Sequence, residues 1–291
     1  MPPSFAEKNA QSPQPLKGAE KAAALLLVMG KPLAARLLKH FDVDELKQIT
    51  RSVAELGTVA VPPSAHYIAT LDADIHFRER AWAAETVHAL QLYPVIQPWS
   101  DAYDLGPHDD HIQHHKSFAR QFFHDIPVAP KSSKCWKHDG GPYDYPHSGY
   151  AWAWTRHALD QLGGLIEIGG MGSGDHHMAL ALAGKAYASV PQNASESYAA
   201  VINRWQDRAL IHVNKKIGFL WGTIEHAFHG RKVDRKYISR WRMFLEHGFD
   251  PNADLKRNSF GVLEFAGNKP ALERAFDRYM REREEDVNTL T

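Results

Sequence analysis

The fold is decided by the stretch His66-Tyr67-Ile68-Ala69-Thr70-Leu71-Asp72-Ala73-Asp74. It is a short apolar run, rich in strand-forming residues, that ends in two carboxylates one residue apart. Ligands of an open α/β sheet bind beyond the carboxyl ends of its strands. We therefore expect Asp72 and Asp74 at the mouth of a cleft. Two such carboxylates can share a hard divalent cation that also holds phosphate oxygens.

The composition excludes several classes of protein. The chain has 291 residues, and its 34 Lys and Arg balance its 34 Asp and Glu, so no basic field suggests a nucleic-acid partner. Cys135 is the only cysteine, which excludes an internal disulfide and suits a reducing compartment. Residues 1–15 do not read as a signal peptide, and the longest apolar run, residues 22–29, is too short to span a bilayer. We expect a cytoplasmic location and no transmembrane segment.

The segments that follow the aspartates predict an α/β domain. A helix over residues 78–91 and a second strand over residues 93–98 make a strand–helix–strand unit, which indicates a parallel sheet. Residues 101–115 read as a polar loop that runs into a helix. Their Asp and His side chains form either a metal cluster or a solvated loop on the acceptor side. Helices over residues 195–216, 234–247 and 270–285 are expected to cover the sheet.

A glycine-rich block supplies the candidate catalytic residue. Residues 149–154 predict a strand of alternating small and aromatic residues, in which Gly149 allows a backbone to approach a ligand closely. A helix is predicted over residues 155–162, from Thr155 to a stop at Gly163-Gly164, and the run Gly169-Gly170-Met171-Gly172-Ser173-Gly174-Asp175 then opens the next helix. Asp175 lies in its first turn, where the helix dipole favours the ionised carboxylate. It is either a general base or an ordinary helix-start residue.

The order of these parts resembles the C-terminal two-thirds of a GT-A-type glycosyltransferase, over about residues 65–288. Further blocks that carry the resemblance are Asp104-Leu105-Gly106-Pro107, Gly218-Phe219, Gly222-Thr223-Ile224, His229-Gly230 and Phe249-Asp250-Pro251. The resemblance implies a nucleotide-sugar donor, a glycan or other hydroxyl acceptor, and Mn²⁺ or Mg²⁺ as cofactor.

The same resemblance implies a role for individual residues. Asp72 and Asp74 would bind the metal, with His229 preferred to His226 as the later ligand. Asp175 would act as base on the acceptor, if the enzyme inverts configuration. The implied donor-binding residues are Gly149, Arg231, Lys232 and Arg235, and the implied substrate contacts are Trp152, Trp154 and His176. The alternatives are a solvated basic turn for the cations and core packing for the tryptophans.

The first sixty residues differ in pattern from the rest of the chain and predict a separate helical region. Three short helices with tight turns are predicted, at residues 19–29, 33–41 and about 42–57. Their order of small, apolar and basic positions, as in Lys17-Gly18-Ala19-Glu20-Lys21 and Ala34-Ala35-Arg36-Leu37-Leu38, resembles the N-terminal domain of the flagellar motor switch protein FliG. The resemblance implies a bundle without catalysis that docks on a flagellar basal-body protein.

The predicted organisation is therefore a fusion. Residues 1–15 form a disordered tail, 16–60 the three-helix bundle, 61–65 a linker, and 66–291 a glycosyltransferase-like domain. The bundle stands where the resemblance leads us to expect the nucleotide-binding half, so the GT-A sheet is expected to be incomplete, with an exposed edge strand. Three functions stay open: a transferase, active or inactive through truncation; a flagellar interaction protein; and a metal-dependent phosphohydrolase. The sugar, the acceptor, the stereochemical outcome and the oligomeric state are not determined by the sequence.

Overall fold

The computed structural model of the protein describes residues 64–128, 146–170, 172–237 and 239–283. The chain divides into two units, Met1–Ala60 and Val61–Thr291, and every described residue belongs to the second unit. The predicted tail and three-helix bundle lie outside the described residues, and so does Cys135. The proposed domain boundaries stay a prediction.

The described part of the chain is a mixed α/β unit with short strands. Its strands are β1 (Tyr67–Leu71), β2 (Ile75–Phe77), β3 (Val95–Gln97), β4 (Asp101–Leu105), β5 (His111–Lys116), β6 (Ala151–Thr155), β7 (Ile217–Phe219), β8 (Thr223–His226), β9 (Leu255–Arg257) and β10 (Leu263–Phe265). Its helices are α1 (Trp82–Ala89), α2 (Phe118–Phe123), α3 (Arg156–Leu162), α4 (Gly174–Leu182), α5 (Glu196–His212), α6 (Arg240–Glu246), α7 (Pro251–Asp254) and α8 (Pro270–Glu282).

The first sheet has the strand order β1-β6-β3-β7 within the described residues. Strand β6 runs antiparallel to both β1 and β3, whereas β3 and β7 are parallel. The prediction of a parallel sheet is therefore wrong for two of the three strand pairings, because β6 runs opposite to both of its neighbours. The strand–helix–strand pattern indicated correctly that β1 and β3 share a direction, but it could not reveal that a later strand lies between them.

Strand β1 forms one edge of this sheet in the part that the structure describes. Tyr67 and Leu71 in this strand are 37% and 43% exposed. An edge strand with exposed apolar side chains is a surface on which another strand can add. That this edge belongs to an incomplete GT-A sheet stays a prediction.

The second sheet has the order β2-β8-β4-β5 among the described residues. Strands β4 and β5 form an antiparallel hairpin, so the prediction that residues 101–115 are a loop entering a helix is wrong. The physical reason is an alternation that the polar composition obscured. Ala102 and Asp104 are buried at 0% and 3% exposure, and the residues between them are only half-buried. Period-two burial is a property of strands.

The main core lies between the first sheet and helices α4 and α5. In α5 the buried residues Tyr198, Ile202, Trp205 and Ala209 are spaced by three or four, which places them on one helical face. Helix α3 begins as predicted at Thr155, whose side chain accepts a hydrogen bond from Ala158 N, and ends at Gly163, with φ 79°. Trp152 and Trp154 of β6 also belong to this core.

Candidate functional site

The site lies between the end of strand β1 in the first sheet and the end of strand β8 in the second sheet. Strand β1 ends at Leu71, and Asp72 N then donates a 2.8 Å hydrogen bond to Tyr150 O, just before β6. The chain turns, and β2 begins at Ile75. Ala227 N donates to Asp74 O at 2.9 Å, which fastens the turn to the end of β8. The carboxylates that follow β1 are thereby brought to the histidines that end and follow β8.

The centre of the site is a cluster of Asp74, His226 and His229. One carboxylate or ring-nitrogen atom from each residue lies within 4.8 Å of the others, and each residue is half-buried. His229 Nδ1 is 2.9 Å and His226 Nε2 is 3.5 Å from Asp74 Oδ2. Of the predicted metal ligands, the structure thus brings Asp74 and His229 together. It adds His226, the histidine to which the sequence interpretation had preferred His229.

Asp72 lies at the edge of this cluster, and although the residue as a whole is exposed, its carboxyl group is largely shielded from water. Desolvation of its carboxyl group, followed by the negative charges of Asp175 and Asp74, raises its pKa to about 6. The nearby His226 and the backbone hydrogen bond at Tyr150 oppose this rise only in part. A site where three carboxylates repel each other is one in which a cation would be stabilised.

A buried carboxylate that the sequence interpretation did not assign to the site lies beneath the cluster. Asp104 Oδ1 accepts a 2.5 Å hydrogen bond from the Tyr150 hydroxyl and lies 3.0 Å from His226 Nδ1. Asp104 Oδ2 lies 2.8 Å from His115 Nε2 and also accepts from Lys232 Nζ. Desolvation opposes ionisation, but the hydrogen bonds from the histidines and the charge of Lys232 hold the pKa of Asp104 well below its usual value.

The charge on the neighbouring histidines differs with their surroundings. Desolvation lowers the pKa of His226, but hydrogen bonds with Asp104 and Asp74 outweigh it, so that this pKa is raised. Desolvation dominates at His115 and lowers its pKa. His147 is more strongly affected: burial takes its pKa well below the usual value, and its Nδ1 accepts a 3.2 Å hydrogen bond from Gly149 N. A neutral His147 fits that acceptor role.

The donor set of the cluster fits a first-row transition ion. Two imidazoles and a carboxylate suit Mn²⁺ and its heavier neighbours, whereas Mg²⁺ prefers an all-oxygen shell. His226 also has the support that metal-binding histidines usually have, because its second ring nitrogen faces a carboxylate. The residues therefore fit Mn²⁺ better than Mg²⁺.

Asp175 lies in the first turn of α4, close enough to Asp72 for its charge to raise the pKa of that carboxyl group. It accepts a 2.8 Å hydrogen bond from Ser148 Oγ. A methyl group on Gly149 would come within 3.2 Å of Asp175 Oδ2 and 3.1 Å of His147 Cε1. The absence of a side chain at Gly149 thus keeps both neighbours in place. Whether its backbone also approaches a ligand stays a prediction.

The basic residues assigned to the leaving diphosphate are not equivalent. Lys232 reaches into the site and donates to Asp104 and Gln113. Arg231 is exposed and binds Asp234 through two hydrogen bonds, of 2.9 and 3.2 Å. Arg235 Nη1 donates to Tyr237 at 2.8 Å. Lys232 thus contacts the site directly through Asp104.

The aromatic residues assigned to the substrate also require correction. Trp152 and Trp154 are 3% and 0% exposed and pack in the core, so neither ring offers a face to a sugar. The reason is that β6 is covered on both faces. His176 is half-buried beside Asp175, and desolvation lowers its pKa. Its contact with a substrate stays a prediction.

The fold and the cluster define a mixed α/β unit with a candidate transition-metal site. Comparison with known proteins adds information about the other end of the chain. Residues 15–65 match the family model of the FliG N-terminal domain. Over 50 residues the chain is 52% identical to the flagellar motor switch protein FliG of Rhizobium meliloti (strain 1021).

That match covers 17% of this chain and 14% of the relative. The chain thus spans about one seventh of the length of the curated relative that it matches. No solved structure matches the chain significantly. The predicted resemblance to the FliG N-terminal domain is confirmed for residues 15–65. The resemblance to glycosyltransferases stays a prediction.

Among the helices in the described ranges, none combines the length and the apolar character needed to cross a bilayer.

Proposed function

We propose that residues 66–283 form a metal-dependent transferase unit that acts on a nucleotide-sugar donor. The observation that carries the proposal is the cluster of Asp74, His226 and His229, which follows the carboxyl ends of strands β1 and β8. This is the edge of a sheet at which ligands of α/β proteins bind. A negatively charged diphosphate needs a cation in such an acidic place, and the donor set favours Mn²⁺.

The residues around the cluster have distinct tasks in this proposal. Asp72, Asp74, His226 and His229 would hold the cation, which supplies positive charge for the diphosphate of the donor. Lys232 adds a further positive charge at the same place. Asp175 accepts the proton of the acceptor hydroxyl group, and the hydrogen bond from Ser148 holds its carboxylate in one orientation. Sugar transfer then gives a glycoside and a nucleoside diphosphate.

Calorimetric titration of UDP and GDP, with and without Mn²⁺, tests this function on the full chain. Binding that requires Mn²⁺ and is lost in Asp74→Ala supports the donor site. Asp207→Asn serves as control, because Asp207 is exposed on α5, outside the site. Absence of metal-dependent nucleotide binding in the unaltered chain would contradict the proposal.

A phosphohydrolase would use the same cluster, and the products distinguish the two activities. Incubation with a panel of nucleotide sugars and Mn²⁺ should release the nucleoside diphosphate and transfer the sugar to a hydroxyl acceptor. Hydrolysis of simple phosphodiesters, without any need for a nucleotide sugar, would favour the hydrolase instead.

A second function is proposed for residues 16–60, and it is carried by the 52% identity to FliG. This segment would dock the chain on a flagellar basal-body protein on the cytoplasmic side. Fluorescently tagged full-length chain should then form foci at flagellar bases, and a chain that lacks residues 1–60 should not. Foci that persist without these residues would assign the localisation to the other unit.

A further inference from the structure

The buried Asp104 has a geometry that neither the sequence resemblance nor the comparisons assign. Its side chain is 5% exposed, and each of its two oxygens is shared between two partners. Oδ1 contacts Tyr150 and His226, and Oδ2 contacts His115 and Lys232. Burying a carboxylate this deeply costs free energy unless the group is paired, and both oxygens of Asp104 have partners here.

We propose that Asp104 is the positioning residue that makes His226 a metal ligand. The inference deepens the proposed function and rests on it. Asp104 Oδ1 lies 3.0 Å from His226 Nδ1, which fixes the proton of the imidazole on Nδ1. The opposite ring nitrogen, Nε2, lies 3.5 Å from Asp74 Oδ2 and would give its lone pair to a cation held by the cluster. A ligating histidine that donates its other N–H to a carboxylate is oriented and made more basic.

The sheet itself sets this contact. Strands β4 and β8 are parallel neighbours, and their register pairs Asp104 directly with His226. The two side chains therefore point to the same face of the sheet. On the facing hairpin strand, His115 holds the other oxygen of Asp104 at 2.8 Å. The carboxylate is thus held from several elements and cannot rotate away from His226.

The competing explanation is that Asp104 only neutralises Lys232 in the interior. That role would stabilise the fold without orienting an imidazole. The two roles differ in what happens at His226 Nε2 when the carboxylate is changed. The test therefore follows the metal and its nitrogen ligands, not only stability or turnover.

The experiment measures Mn²⁺ affinity of the full chain by calorimetry, for the unaltered protein, Asp104→Asn and Asp101→Asn. Asp101 is a matched control, because it is a carboxylate of the same strand with histidine and arginine partners outside the cluster. We expect Asp104→Asn to bind Mn²⁺ about 10- to 100-fold more weakly. Asp101→Asn should bind within about threefold of the unaltered chain, since it removes no support of a ligand.

Pulsed electron paramagnetic resonance of the bound Mn²⁺ distinguishes the two roles, because a purely structural role of Asp104 would not change the nitrogen couplings. The unaltered chain should show two imidazole nitrogen couplings, and Asp104→Asn should lose or weaken one of them. Unchanged affinity, or weaker affinity with both couplings intact, would overturn the inference. Mn²⁺ that does not bind the unaltered chain, or binds equally to Asp74→Ala, would instead remove the proposed metal site itself.

A second measurement needs no variant and covers the case in which Asp104→Asn does not fold. In the Zn²⁺-loaded chain with ¹⁵N-labelled histidine, nuclear magnetic resonance identifies the metal-bound nitrogen of His226. Coordination through Nε2 with a proton on Nδ1 is expected. Coordination through Nδ1, or no coordination by His226, would overturn the proposal.

Discussion

Ser148 donates a hydrogen bond of 2.8 Å to Oδ2 of Asp175, and so joins the segment that leads into β6 to the first turn of α4. The charge of Asp175 in turn helps to raise the pKa of Asp72. The candidate base and the candidate metal ligands are therefore parts of one electrostatic site. Removal of the Asp175 charge should therefore change the pKa of Asp72 through electrostatics alone.

Asp175→Asn should separate binding from chemistry. The variant keeps the shape of the side chain and can still accept from Ser148, so Mn²⁺-dependent nucleotide binding should be retained. Removal of a general base should lower sugar transfer by about 10²- to 10⁴-fold. The measurement is release of nucleoside diphosphate at saturating donor.

Ser148→Ala is the companion variant. It leaves the carboxylate of Asp175 in place and removes only its orientation, so a much smaller loss of transfer is expected. If Asp175→Asn and Ser148→Ala lose activity equally, or if Asp175→Asn stops nucleotide binding, Asp175 is not the base.

Asp72 should make the stability of the metal-free protein depend on pH. Its pKa rises from 3.8 in a model peptide to about 6 in the folded chain. The folded state therefore binds this proton more tightly than the unfolded state, and stability falls as the pH rises between these two values. Asp72→Asn cannot ionise and should melt about 1–3 °C higher than the unaltered chain at neutral pH, a small effect because the residue is exposed.

The difference should vanish below about pH 3, where Asp72 is protonated in both states. Saturating Mn²⁺ should reverse it at neutral pH, because a ligand that binds only the folded state stabilises the unaltered chain. Thermal melts of the two proteins, with Asp207→Asn as reference, check both statements. Equal melting temperatures at neutral pH without metal would contradict the electrostatic account.

His177 should produce a pH dependence of the opposite sign. It is fully buried between Ser189 and Tyr198, at 2.9 and 2.8 Å, and burial lowers its pKa to about 3. The unfolded chain binds this proton first, so the stability is complete above the ordinary histidine pKa of 6.5 and is lost as the pH falls toward 3. Each pH unit in this window should cost about 1.4 kcal/mol.

His177→Gln tests this expectation, because glutamine does not titrate but can donate and accept hydrogen bonds. The variant should be less stable than the unaltered chain at neutral pH, since one side chain cannot reach both partners equally well. Its stability should fall less steeply with acid. Urea unfolding at a series of pH values measures both slopes, and parallel slopes would count against titration of His177.

The sequence predicts those parts of the fold that local rules control. The glycine at 163 and the threonine at 155 indicated the ends of α3, and the strand before Asp72 was read from its composition. Hairpin β4–β5 was missed although its turn has the usual residues, Gly106 and Asp109, the latter at φ 62°. A polar strand reads as a loop in the sequence when the hydrogen-bond partners of its buried polar groups come from distant parts of the chain.

Asp104 shows the same limit at the site. Its importance comes from its burial and from contacts with His226 and Lys232, which are 122 and 128 residues away in sequence. No local pattern encodes such contacts. Trp152 and Trp154 illustrate the converse, since an aromatic strand near a cleft predicts a stacking surface, whereas the structure buries both rings in the core. The sequence thus indicated Asp74 and His229, which the fold brings together, but not the buried carboxylate beneath them.

Gly218→Ala should destabilise the contact between β3 and β7. A methyl group there would lie 2.7 Å from the ring of Tyr93 and 3.0 Å from Ile96, closer than carbon atoms tolerate. Because Gly218 pairs with Ile96 in a buried parallel register, the strand cannot move away without loss of the pairing. Overpacking of this kind costs about 1–3 kcal/mol of unfolding free energy.

Gly170→Ala is the control, because its added methyl would meet only Phe276, at an ordinary 3.8 Å. Urea unfolding should show a lower midpoint for Gly218→Ala, with Gly170→Ala within about 0.5 kcal/mol of the unaltered chain. Equal midpoints for the two variants would mean that β3 and β7 are not packed as closely as this register requires.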